Sequence, residues 1–264
     1  MPRANRYLLP GQIAHITHRC HNREFLLRFD RDRRVYRWWL WQALNRYQVS
    51  LLAYAITSNH VHLLVHAIES KQLSACIQLV HGQVAQQYLR RKGRSGAFWS
   101  DRFHVTMIES GTHLWHCLIY IELNMVRAGV VSHPRDWLWC SYSDLRRGRQ
   151  RHRIMNTTAM VRAVGVESLC SFLEYQDKCI NEAIMAGGLI REGHWTEGVA
   201  VGGEKFVREV AALTVSHQDL QIEPLAIATQ NSTWIVREEG AIYDFCTQKT
   251  RYEPDSDNKK VVSC

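Results

Sequence analysis

The chain has 264 residues, 46% of them hydrophobic and 22% charged, with a formal net charge of +8. That length can bury a core of one domain plus an appendage, and the composition excludes a disordered or fibrous protein. No apolar run approaches the ~20 residues of a membrane span, and residues 1–6 lack the apolar stretch of a signal peptide, so a cytosolic location is expected.

The charge is unevenly spread. Residues 1–153 hold 23 Lys and Arg against 9 Asp and Glu, a balance of +14, whereas the remainder holds 10 against 16, a balance of −6. Of the 23 basic residues, 21 are Arg. Guanidinium groups make bidentate contacts to phosphate and stack on bases, so the first part is expected to meet a polyanion such as nucleic acid. The eight cysteines form no CxxC pair and read as reduced, mostly packed thiols.

Along the chain, 12–20 alternates apolar and polar residues and predicts a strand. His21 to Glu24 follows as a polar turn. Residues 30–47 predict a helix, with Asp30 as its cap and Val35, Trp38, Trp39, Ala43 and Leu44 as its apolar stripe. Arg31, Arg33, Arg34 and Arg37 crowd its start, where cations oppose the helix dipole, so anion contact is expected of them. Strands are predicted at 49–57 and 60–66 around a tight turn at Ser58-Asn59. A helix is predicted over 72–90, then a basic loop over 90–96, and a fourth strand over 102–108 preceded by Phe98-Trp99. The order β-α-β-β-α-β gives an α+β, ferredoxin-like (RRM-like) antiparallel sheet with helices on one face and the other face open to a site.

A further helix is predicted over 112–126, ending near Gly129, and an aromatic segment over 137–142 closes the basic part. The expected division is a domain over 1–150, a mostly helical extension over 151–248, and a polar, disordered tail over 249–264. In the extension, helices are expected near 157–164, 168–185 and 204–213, with breaks at Gly187-Gly188 and Gly202-Gly203. A hairpin is expected over 232–245.

His60 and His62 are the first chemical signal. On a strand they share one face, where two imidazoles can hold one metal ion. Tyr120 and Asn124 are four apart on a helix and also share a face. A tyrosine there could attack a phosphodiester bond, and Asn124 could lend the metal its side-chain carbonyl. On spacing alone, an HxH pair is more often structural than metal-binding, and a helical tyrosine more often packed than reactive.

Taken together, the segments carry a resemblance. Ser58-Asn59-His60-Val61-His62-Leu63-Leu64 resembles the HUH signature of single-tyrosine transposases of the insertion-sequence-200-like superfamily. His15 to Arg19 with Asn22-Arg23 resembles that family's first strand and turn, and Phe98 to Phe103 its tryptophan-plus-arginine segment. Tyr120 to Gly129, followed by Trp137 to Ser141, resembles the catalytic helix of the REP-associated tyrosine transposases. The resemblance spans roughly residues 6–145. It implies Tyr120 as nucleophile, His60, His62 and Asn124 as metal-binding residues for Mg²⁺ or Mn²⁺, and Arg19, Arg23 and Arg102 as DNA contacts. It further implies cleavage and rejoining of single-stranded, hairpin-containing DNA through a 5′-phosphotyrosine, by a monomer or a homodimer. Met125 departs from the subgroup, which usually has proline there, and altered helix-end geometry is expected from it. Gly203 to Val207 resembles a helix of the subgroup's C-terminal extension. The negative charge of that extension is expected to compete with DNA, so that deleting residues 155–264 raises DNA affinity.

Three other readings fit parts of the pattern. A replication initiator or relaxase shares the HUH and tyrosine chemistry, although this chain has no P-loop. A non-catalytic nucleic-acid binder on a ferredoxin-like sheet would carry aromatic residues where this sheet carries histidines. A hydrolytic metalloenzyme would need no tyrosine intermediate.

Overall fold

The computed structural model describes residues 7–148, 151–214, 220–225 and 233–239. The first half runs β1 (Ile13–Arg19), a 3₁₀ turn at His21–Arg23, α1 (Asp30–Tyr47), β2 (Ser50–Ile56), β3 (His60–His66), α2 (Ser70–Lys92), β4 (His104–Ile108), α3 (Thr112–Glu122), α4 (Asn124–Arg127) and α5 (Ser141–Arg146). The second half runs α6 (Thr157–Val164), α7 (Leu169–Ala186), α8 (His194–Glu197), β5 (Ala200–Gly202), α9 (Glu204–Leu213), β6 (Leu220–Pro224) and β7 (Trp234–Glu238). The seven strands among the described residues form one mixed sheet of order β2-β3-β1-β4-β5-β7-β6.

The four strands of the first half pair antiparallel. Nearly every residue of β1, β2 and β3 is buried, which requires cover on both faces of the sheet. On one face, His81 of α2 packs against His18 of β1 and against Tyr36 of α1. On the other, α3 lays Tyr120 beside His15 and His62. An open second face is therefore not what the fold has; the residues that line it are enclosed.

Local chemistry explains the boundaries. Asp30 and Asp32 stand in the first turn of α1, where acids complement the dipole. Asp30 does not cap the helix as expected. Phe29 holds the cap position, and the Asp30 carboxylate instead accepts from Arg33 Nη1 at 3.0 Å and Trp139 Nε1 at 2.9 Å. α2 ends at Gly93, whose φ of +60° suits glycine and lets its N–H reach back to the Leu89 and Arg90 carbonyls.

Two of the four arginines at the start of α1 serve the fold rather than an anion. Arg33 is buried, lies over the Trp137 ring, and donates to the Arg28 carbonyl and to Ser58 Oγ. Arg37 pairs with the buried Asp144 at 3.0 Å. Arg33 thus braces the Ser58-Asn59 turn that leads into the histidine strand.

The expected helix over 112–126 is interrupted at Leu123. Bonds from Leu123 N to the Ile119 carbonyl and from Arg127 N to the Leu123 carbonyl carry the chain through the break. Tyr120, Asn124 and Arg127 consequently stay near one face. The interruption also places Met125 in the first turn of α4, a position that tolerates proline.

The second half joins the same body. Besides helices it adds three strands, β5 running parallel to β4 and β7 pairing with both β5 and β6. The partner of β7 is thus an earlier strand; the expected second arm at 241–245 and the tail from 249 onward lie outside the described residues. Within β5, a Cβ on Gly202 would meet Glu109 Cβ at 2.8 Å and Phe206 Cδ1 at 2.5 Å, so only glycine fits there. The main hydrophobic cluster includes Ile16, Leu63 and Leu118 together with Met160, Phe172, Ile180, Trp195 and Ile235. Cys20, Cys76, Cys117 and Cys140 are buried free thiols, Cys179 is partly buried and Cys170 is exposed. Among the described residues, no helix is long and apolar enough to cross a membrane.

Glu122 is a buried acid, 2% exposed. Ser141 Oγ donates to it at 2.6 Å and Gln176 Nε2 at 2.8 Å, yet burial raises its pKa from 4.5 to about 7. The folded state therefore holds this proton more tightly than the unfolded chain. The resulting stability is full below pH 4.5 and is lost progressively up to about pH 7, a loss of about 3 kcal/mol. Urea unfolding at pH 5 and pH 8 should show this fall in the wild type. Glu122→Gln should flatten it, chiefly by raising stability at pH 8; an unchanged slope would refute the assignment.

Candidate active site

The site grows from the register of β1 and β3. Arg19 lies opposite His60, Thr17 opposite His62 and His15 opposite Leu64. Alternation then puts Arg19, Thr17, His15, His60 and His62 on one face of the sheet. β4 pairs Thr17 with His104 and His15 with Thr106, so His104 joins that face.

Both histidines of the HxH pair are oriented by their neighbours. His60 Nδ1 is 2.7 Å from Asn59 Oδ1 and 3.0 Å from Thr57 Oγ1. The Asn59 carbonyl oxygen only accepts, so His60 Nδ1 carries the proton and Nε2 keeps its lone pair. His62 Nδ1 is 2.9 Å from His15 Nε2, and His15 Nδ1 is 2.8 Å from the Trp195 carbonyl. Burial, followed by the charge of Arg19, pushes His60 well below the ordinary histidine range. Burial, followed by the neighbouring His60 and His15, does the same to His62. Both rings are neutral at pH 7, the form that ligates metals.

Asn124 closes the group. Its Nδ2 is 3.0 Å from His62 Nε2, and the same side chain hydrogen-bonds His60. Tyr120 sits one turn earlier, 5% exposed, with its ring centroid 6.1 Å from that of His62 and 6.4 Å from that of His15. Burial raises the Tyr120 pKa, and the Arg127 guanidinium, 4.0 Å over the ring, opposes that rise. Of the two charges that favour a phenolate, Arg127 acts more strongly than Arg191.

Two imidazoles and one amide fit a divalent cation. Among the described residues no set of three His, Cys, Asp or Glu side chains forms a metal cage. A site with so few protein ligands leaves positions for phosphate oxygens. Asn124 would offer Oδ1 after rotation of its amide about χ2.

The predicted DNA contacts gather at the same end of the sheet. The Arg19 carbonyl accepts from Ser100 N, the Arg23 carbonyl accepts from Asn59 Nδ2, and the Asp101 carbonyl accepts from His18 Nε2. Arg102, next to Asp101, is exposed, and Arg23 is partly buried.

Four further residues at the site carry no signal strong enough to single them out in the sequence. His15 and Arg127 lie within motifs but are marked only by alternation and by helical spacing from Tyr120. Trp195 and Arg191 come from the second half. Trp195 is fully buried with its ring 6.3 Å from that of Tyr120, and the charge of Arg191 acts on Tyr120.

Residues 10–124 match the family model of IS200-like transposases. This stretch, 115 of the 264 residues, is similar to that family. The matched stretch contains His60, His62, Tyr120 and, as its last residue, Asn124, while Trp195 and Arg191 lie beyond it. Among solved structures, a REP-associated tyrosine transposase bound to a REP hairpin is similar at 21% identity, over 56% of this chain and 87% of that one, with a TM-score of 0.45. A candidate transposase from Deinococcus radiodurans is similar at 17% identity, over 40% of this chain and 84% of that one, with a TM-score of 0.31. No curated protein matches the chain.

Proposed function

We propose that this chain cleaves and rejoins single-stranded, hairpin-containing DNA through a covalent 5′-phosphotyrosine at Tyr120, as REP-associated tyrosine transposases do. The observation that carries the reading is convergence. Tyr120 and Asn124 from helices and His60 and His62 from a strand meet around one point, although they stand some sixty positions apart in the chain. Strand order β2-β3-β1-β4, with α1 and α2 on one face, supports taking the first half as a ferredoxin-like sheet.

In this reading Tyr120 Oη attacks the scissile phosphorus. The Oη–P bond forms, the bond from phosphorus to the 3′ oxygen breaks, and the tyrosine proton ends on that oxygen. The ester energy is retained, so a free 3′ hydroxyl can reverse the step on another end. Arg127 stabilises the phenolate, and Arg19, Arg23 and Arg102 hold the backbone on either side of the break. His60, His62 and Asn124 would hold Mg²⁺ or Mn²⁺, which when bound supplies charge neutralisation at the phosphate.

The test uses single-stranded hairpin DNA labelled at either end, incubated with the protein and Mg²⁺. A denaturation-resistant adduct should carry only the label 3′ to the break. Absence of any adduct, or an adduct bearing the 5′ label, would overturn the proposal. The same oligonucleotide without its palindrome should react far less.

A further inference from the structure

We propose that His15 is a positioning residue that holds His62 with its Nε2 lone pair toward Asn124, and that the Trp195 backbone carbonyl in turn holds His15. This inference rests on the reading of His62 as a metal-holding residue. It extends that reading by making a segment outside the stretch that resembles transposases part of the active site.

The hydrogen-bond directions follow from one end of the chain of contacts. A backbone carbonyl has no hydrogen to give, so His15 Nδ1, 2.8 Å from the Trp195 oxygen, is the protonated nitrogen. A neutral His15 then has a bare Nε2. That nitrogen lies 2.9 Å from His62 Nδ1, so His62 Nδ1 must donate. His62 Nε2 is left with its lone pair, facing Asn124 Nδ2 at 3.0 Å. Both His15 nitrogens are occupied, so His15 orients a ligand and is not one itself. The two rings also stack, with centroids 5.1 Å apart and planes 19° off parallel, which fixes the His62 plane as well as its tautomer. His60 obtains the same orientation locally from Asn59. For His62 the corresponding acceptor is a histidine on the next strand, anchored from α8.

The anchor is itself rigidly built. Trp195 is fully buried, and its indole donates to Glu192 at 2.6 Å. Three residues on, the Gly198 carbonyl accepts from Thr106 Oγ1 at 2.8 Å and lies 3.0 Å from His104 Nε2. Residues 195–198 therefore clasp the histidine face of β1 and β4 through two backbone carbonyls. Partners of this kind, one shell behind a metal ligand, fix the ligand's tautomer and raise its basicity.

The test uses the full chain with ¹⁵N-labelled histidine, free of metal, and long-range ¹H–¹⁵N spectra that report which ring nitrogen carries the proton. Wild-type His62 should be the Nδ1–H form. His15→Phe should shift it toward Nε2–H and weaken Mn²⁺ binding, read by electron paramagnetic resonance, about 10- to 100-fold. Hairpin binding without metal should stay within about twofold, because arginine–phosphate contacts dominate it. His15→Gln can accept from His62 and donate to Trp195, so it should restore both the tautomer and most of the Mn²⁺ affinity. The proposal is overturned if wild-type His62 is the Nε2–H form. It is overturned equally if His15→Phe leaves tautomer and affinity unchanged, or if His15→Gln behaves like His15→Phe. A wild-type protein that binds no Mn²⁺ would sink the metal-holding role instead, and the His62 tautomer in the same sample would still decide the role of His15.

Discussion

Tyr120→Phe should abolish covalent capture of DNA while leaving hairpin binding within about twofold of the wild type. Loss of a nucleophile removes the chemical step itself, so strand transfer should fall by at least about four orders of magnitude. The substitution deletes one oxygen and keeps the ring. The contacts of that ring with His15, His62 and Trp195 and its place under Arg127 are apolar, edge-on or cation–π contacts that phenylalanine can make, and the hydroxyl's hydrogen bond with Arg127 is what the substitution removes. The fold should therefore survive, with a change in stability of about 1 kcal/mol or less. Covalent adduct, thermal midpoint and DNA affinity measured on one preparation separate the chemical role from a structural one. Persistence of the adduct in Tyr120→Phe would remove Tyr120 from the mechanism.

Deleting residues 155–264 should leave no folded protein rather than one that binds DNA more tightly. The acidic balance of the second half suggests a cover that competes with DNA. The packing says otherwise: Met160, Phe172, Ile180 and Trp195 are fully buried in the cluster that also holds Ile16 and Leu118. Each such side chain is worth about 2–5 kcal/mol when removed, so their joint loss exceeds the ~5–15 kcal/mol stability of a typical domain. The cut would also strip β5 from the edge of β4 and take the Gln176 donor from Glu122. Circular dichroism and a thermal melt of the truncated chain check this. A cooperative transition near that of the full chain would refute it.

Much of the site is legible in the residues. The apolar, β-branched run over 60–66 predicts the strand that the structure has at His60–His66, and helical periodicity predicts α1 at Asp30–Tyr47. Local residue type and period carry these, because each residue's face is set by its own backbone. The four-residue spacing of Tyr120 and Asn124 survives the break at Leu123 because the backbone hydrogen bonds pass through it.

Other features depend on partners distant in the chain. Arg33 and Arg37 look like anion contacts in sequence because nothing local shows Ser58, Trp137 or Asp144 beside them. The role of His15 needs the β1–β3 register and the Trp195 carbonyl, one 47 and the other 180 positions away.

The sequence by itself determined the HxH strand, the tyrosine helix, the arginine-rich charge of the first half and the likeness of residues 10–124 to IS200-like transposases, because these are written in spacing and residue type. Only the tertiary structure decided that the sheet is covered on both faces and continues into the second half, and that His62 takes its orientation from His15 and a carbonyl of α8. Strand register and buried hydrogen bonds join groups that share no local pattern, so they exist only once the chain has closed on itself. The histidine pair is local. What aims it at the tyrosine is not.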